Sequence, residues 1–160
     1  LPLRIALKAA DKPVVLRMAI SYAVCDKLCV PVEANAELPF VSVASTEDST
    51  LSGALDAVPK PANVGDPNPL TIRDVRRDGP TNVIVDVAAH DADNLHLYVE
   101  GPTPDWSLPL PKRIDHDAPD LKRFAFALEG LPSGAKADGA ALKFTLVGGN
   151  RAYEFNVNLQ

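Results

Sequence analysis

The 160-residue chain has only two cysteines, so it is not a small domain stapled by disulfides, where cysteines are dense. Aromatic residues are scarce at 6%, and there is one tryptophan. A basic excess is also lacking: Lys plus Arg is 16, Asp plus Glu is 21, and the net charge is -5. That balance argues against a general nucleic-acid binder, which carries a basic stripe. No apolar run approaches the roughly 20 residues that span a bilayer as a helix. No charged segment followed by an apolar run opens the sequence at Leu1. A signal peptide is therefore not expected, and the sequence reads as a processed soluble piece of a longer exported or membrane-bound parent. Apolar residues reach 46%, too many for a disordered chain.

What is abundant is proline, 15 residues against an average near 5%. Proline is costly inside helices and central strands, so short strands and turns are expected. The first 40 residues alternate with period two, the mark of half-buried strands. The series are Leu3, Ile5 and Leu7; Val14 to Val24 at even positions; and Val30 to Phe40 at even positions. Ala10 to Pro13 and Asp26-Lys27-Leu28 supply the turns. This predicts a three-stranded antiparallel meander.

Residues 45–58 predict a short helix. Ser45 or Thr46 caps it, Glu47 and Asp48 sit in its first turn, and Leu51, Leu55 and Val58 form its apolar stripe. The run from Pro59 to Pro69 reads as a semi-rigid linker. Beyond it, seven short strands are expected at 70–76, 82–89, 94–100, 110–115, 121–129, 140–147 and 152–159, with a tight turn at Gly148-Gly149-Asn150. Seven strands in about 90 residues fit an immunoglobulin-like sandwich. The expected fold is therefore all-β. Residues 1–44 form the C-terminal part of one sandwich, 45–68 a helix and linker, and 69–160 a complete second sandwich. Three strands cannot cover their own apolar face. The preferred reading is that residues missing from this sequence complete the first sheet; the second domain or a dimer partner are the alternatives.

The chemistry concentrates in Tyr22-Ala-Val-Cys25-Asp26-Lys27-Leu-Cys29-Val-Pro31. Opposed residues of an antiparallel pair have Cα atoms about 4.5–5.5 Å apart, and a disulfide wants about 4.4–6.8 Å. A bridge across so short a loop removes little unfolded-state entropy. It suits opening and closing better than stapling, and so permits thiol–disulfide exchange. Lys27 favours a thiolate and Asp26 opposes it. A static disulfide, or two unreactive thiols, is the plain alternative. A metal is the third reading: zinc needs two more ligands that the neighbourhood lacks, whereas two thiolates suffice for Cu(I). Neither a metal nor a cofactor is expected.

At these residues the chain resembles the periplasmic N-terminal domain of the DsbD thiol:disulfide interchange proteins, and more closely the branch with the suppressor-of-copper-sensitivity membrane reductases. The resemblance rests on Tyr22-x-x-Cys25, Cys29-x-Pro31, the alternating run Glu33 to Phe40, and the lead-in at Leu1, Leu3 and Asp11 to Val14. It also rests on the helix ending in Val58-Pro59, and on Leu97 to Pro102 followed by Trp106, similar to that branch's second immunoglobulin-like module. The resemblance implies an immunoglobulin-like, periplasmic module of a membrane-anchored reductase linked to copper tolerance. Electrons would pass from a transmembrane domain, through a thioredoxin-like domain of the parent, to this pair and on to oxidised periplasmic partners. Cys29 would form the intermolecular bond and Cys25 would resolve it, with Tyr22, Asp26, Lys27 and Pro31 in support. The best-known members have five residues between the cysteines where this chain has three, and their shielding cap loop falls upstream of Leu1. Outside the resemblance, the thiolates or the immunoglobulin-like surfaces would serve a non-enzymatic module that docks partners or binds Cu(I).

Other candidates are weaker. His90, His96 and His116 have Asp86, Asp91, Asp93, Asp115 and Asp117 around them, without motif spacing. Arg73, Arg76 and Arg77 read as a solvated strand end. Gly148-Gly149 lacks the lysine and the helix of a phosphate loop. Trp106 reads first as a packing residue and second as a partner anchor.

Overall fold

The computed structural model describes residues 3, 5, 12–25, 28–40, 47–89, 94–114 and 121–160, and divides the chain into two compact units, Leu1–Leu55 and Asp56–Gln160.

In the first unit, β1 (Val14–Cys25) and β2 (Cys29–Phe40) form an antiparallel hairpin with unbroken register from Val14↔Phe40 to Cys25↔Cys29. Alternation explains the pairing. Leu16, Met18, Ile20, Tyr22 and Val24 share one face with Val30, Val32, Ala34, Ala36 and Leu38. The other face carries Arg17, Ser21, Glu33, Asn35 and Glu37. Arg17 Nε meets Glu37 Oε1 at 2.8 Å directly across the ladder. Both side chains are well exposed, so this pair contributes little. The expected strand at Leu3–Leu7 falls mostly outside the described residues. Leu3 and Ile5, which are described, lie in no strand, so the meander is a two-stranded hairpin among the described residues.

Helix α1 (Asp48–Asp56) forms within the expected span, with Asp48 in its first turn and Glu47 just before it, where the Glu47 carbonyl accepts from the Leu51 amide at 2.9 Å. The capping candidates Ser45 and Thr46 lie outside the described residues. The apolar stripe is exposed: Leu51, Leu55 and Val58 all face solvent.

The second unit is a β-sandwich of two four-stranded sheets. One sheet has the order β3 (Lys60–Ala62), β10 (Arg151–Asn158), β9 (Ala141–Gly148), β6 (Leu95–Glu100). The other has the order β4 (Leu70–Asp78), β5 (Asn82–Ala89), β8 (Leu121–Ala127), β7 (Lys112–Ile114). The inward positions of β4, β5 and β8 supply Leu70, Ile72, Val83, Val85, Val87, Phe124 and Phe126. Leu95, Leu97, Leu142, Phe144, Leu146 and Phe155 meet them from the facing sheet. Phe126 and Phe144 touch edge to face across the sandwich, with ring centroids 6.1 Å apart. The seven strands expected beyond residue 69 all form. Gly149, with φ of 60°, makes the two-residue turn between β9 and β10.

The proline-rich stretch expected as a semi-rigid linker is in part a strand of the second unit. Lys60–Ala62 pairs in parallel with Tyr153–Phe155, and the Gly65 amide donates to the Ile72 carbonyl at 2.9 Å. Proline is tolerated there because β3 is an edge strand.

Candidate functional site

The hairpin places Cys25 opposite Cys29 across the three residues 26–28. Cys29 is disulfide-bonded and therefore does not titrate. Strand parity sorts the supporting residues. Pro31 lies two positions along β2 from Cys29, so the two share a face, with Ala23 opposite Pro31. Tyr22 pairs with Val32 on the other face and is half exposed. The register therefore brings Pro31 to the cysteine face and leaves Tyr22 behind it. Asp26 and Lys27 lie outside the described residues. Leu28, also in the turn, is well exposed.

The remaining candidates are all in the second unit. Asp86 is buried on the outer face of β5, where it accepts from three guanidinium nitrogens. Arg123, opposite it on β8, donates from Nε at 2.6 Å and Nη2 at 3.0 Å. Arg76 on β4 donates from Nη1 at 2.7 Å and shares that nitrogen with Asp74, also at 2.7 Å. The Arg123 hydrogen bonds are the main force holding the Asp86 carboxyl below its ordinary value. Burial opposes them, and Arg76 adds to them. Asp86 is thus a structural anion held by two arginines, not a histidine-centred metal ligand. The arginines are not a merely solvated strand end either: Arg77 bonds Asp138 and the Pro80 carbonyl, and Arg73 reaches the Gly65 carbonyl. Sequence reading missed this network because the partners come from three strands. The signal available was a lone aspartate between Val85 and Val87, on the face opposite the core.

His96 is exposed on β6 and stacks on Tyr98, with ring centroids 6.4 Å apart. His90, His116, Asp91, Asp93, Asp115 and Asp117 lie outside the described residues. Among the described residues no cluster of His, Cys, Asp or Glu could hold a metal ion. Trp106 is half-buried and packs against the core. Its side chain sits directly on Gly101, where any Cβ would collide with the indole. That contact explains the Gly-Pro turn after β6, and it makes Trp106 a packing residue. A shallow recess of about 630 Å³ opens beside it, lined by Pro102, Pro104, Lys143 and Asn156 among others. Lys143 bridges Glu100 at 2.8 Å and Glu154 at 3.7 Å across β6, β9 and β10, and Glu100 foremost raises its pKa. Among the described residues no helix is long and apolar enough to cross a membrane.

Fold and register together define a class: an immunoglobulin-like β-sandwich unit preceded by a β-hairpin with a cysteine at each end of its turn. Within that class, the structure is similar to the N-terminal periplasmic domain of ScsB from Proteus mirabilis, with a TM-score of 0.64 and 14% sequence identity over 91% of this chain. The chain spans 57% of that solved domain's length. No protein-family model matches the chain, and neither does any curated protein.

Proposed function

We propose that the chain is a periplasmic thiol–disulfide exchange module of a membrane-anchored reductase, working through Cys25 and Cys29. One observation carries this reading: the ladder sets Cys25 opposite Cys29 across a three-residue turn, at a separation suited to a bridge. The likeness to a periplasmic domain and the Cys-x-Pro resemblance support it.

In the reduced state the Cys29 thiolate attacks a partner disulfide. One partner sulfur leaves as thiolate, and a mixed disulfide joins the two proteins. The Cys25 thiolate then attacks the Cys29 sulfur, closing the intramolecular bridge and releasing the partner as a dithiol. Two electrons pass to the partner. A thioredoxin-like domain of the same parent restores the dithiol by the reverse exchange. Residues 1–44 carry the redox chemistry, and 69–160 form the second immunoglobulin-like module. Pro31 acts beside Cys29, and Asp26 and Lys27 tune the thiolates from within the turn.

The test is a stoichiometric transfer. The dithiol form is mixed with an oxidised protein disulfide, and free thiols on both are counted after acid quenching. Two thiols lost from this chain for two gained by the acceptor support the relay. No transfer at accessible protein disulfides contradicts it.

A further inference from the structure

Strand β2 carries two prolines, Pro31 and Pro39, inside an unbroken twelve-residue register with β1. Proline has no N–H and is accepted in a paired strand where its nitrogen faces away from the neighbour. Both prolines occupy odd positions, in phase with Cys29. In an antiparallel ladder, alternate residues turn their N–H and C=O outward together. Because Pro31 and Pro39 cannot donate to β1, the odd positions are the outward ones; among the described residues the outer edge of β2 is thus written by Cys29, Pro31, Glu33, Asn35, Glu37 and Pro39. Two of its six donors are missing, one of them next to Cys29, and two more positions carry carboxylates. Proline and charge are the devices that close sheet edges to strand addition. The matching positions of β1 are Val15, Arg17, Ala19, Ser21, Ala23 and Cys25, with no proline and no carboxylate.

We propose that Pro31 and Pro39 close the cysteine-bearing outer edge of β2 to strand addition, so that a disulfide-bearing protein meets Cys29 through side chains, across the face of the hairpin. Only the identity of that protein rests on the redox reading; the closed edge does not. Without a ladder of backbone hydrogen bonds, a partner joined to Cys29 is held by few contacts beyond the sulfur bond and departs once Cys25 attacks. An open edge would add about two- to tenfold in affinity for each hydrogen bond gained.

The test uses the whole oxidised chain and the variants Pro31→Thr, Pro39→Thr and the double variant, since threonine restores the N–H and suits a strand. Residue-resolved amide exchange on the wild type comes first. The amides of Glu33, Asn35 and Glu37 should exchange at least tenfold faster than those of Val32, Ala34 and Ala36. Equal protection in the two sets overturns the proposal, whatever the variants do. Sedimentation at rising concentration follows. The double variant should self-associate at least fivefold more strongly than wild type, with new protection at positions 31–39. Unchanged association and protection overturn it. Pro39→Thr, far from the cysteines, gives the same readout should Pro31→Thr fail to fold. Failure of the wild type to exchange with glutathione would count against the redox reading and leave the edge result standing.

Discussion

Arg123→Ala removes the bidentate partner of a carboxylate whose side chain is only 9% exposed. Breaking a buried pair by deleting one partner typically costs about 3–5 kcal/mol. Arg76 stays, with one hydrogen bond at 2.7 Å, so the expected loss at pH 7 is about 2–3 kcal/mol. For a unit of about 100 residues that lowers its midpoint by roughly 8–24 °C. Trp106 is the single tryptophan and lies in the same unit, so its fluorescence reports this transition during urea unfolding. The pH dependence identifies the cause. Asp86 titrates below its ordinary value in the folded chain. Its contribution is therefore fully present above the unfolded aspartate pKa near 3.9, and is lost as pH falls through the lower folded value. The gap between wild type and Arg123→Ala should narrow in that acid range, because a protonated Asp86 no longer needs the guanidinium. A loss under about 0.5 kcal/mol at pH 7, or a gap that does not change with acid, refutes the reasoning.

Three further outcomes are expected. Gly101→Ala pushes a Cβ into the Trp106 ring, so it should shift tryptophan emission and cost about 1–3 kcal/mol in the same unfolding assay. Lys143→Met breaks a partly exposed pair, so its cost should stay below about 1 kcal/mol in a urea titration. On the redox side, Cys25→Ser should accumulate mixed disulfides through Cys29 on non-reducing gels, and Cys29→Ser should accumulate far fewer. Equal trapping by both variants would overturn the assigned roles.

Much of the second unit was legible in the sequence because two local signals coincide. Leu142-x-Phe144-x-Leu146 alternates cleanly, and Gly148-Gly149-Asn150 then turns the chain back. Non-local partners were harder to see. Lys60–Ala62 reads as linker because its strand partner lies some 90 residues further on. Asp86 hides between valines because its guanidinium partners arrive from β4 and β8. Parity alone separates Tyr22 from Cys25 on β1, since even and odd positions of a strand face opposite ways. The resemblance had grouped them through a spacing motif that says nothing of faces. The stripe on α1 was read from helical spacing, which finds an apolar face but not what covers it.

The central claim is that Cys25 and Cys29 form a pair that opens and closes. Its most direct measurement is the reduction potential of the intact chain, equilibrated in a graded glutathione series, acid-quenched and thiol-labelled. The account predicts one two-electron transition above about -300 mV, within reach of a cellular dithiol relay. A bridge that resists reduction across the series, with a potential below that bound, would mark a structural disulfide and contradict it.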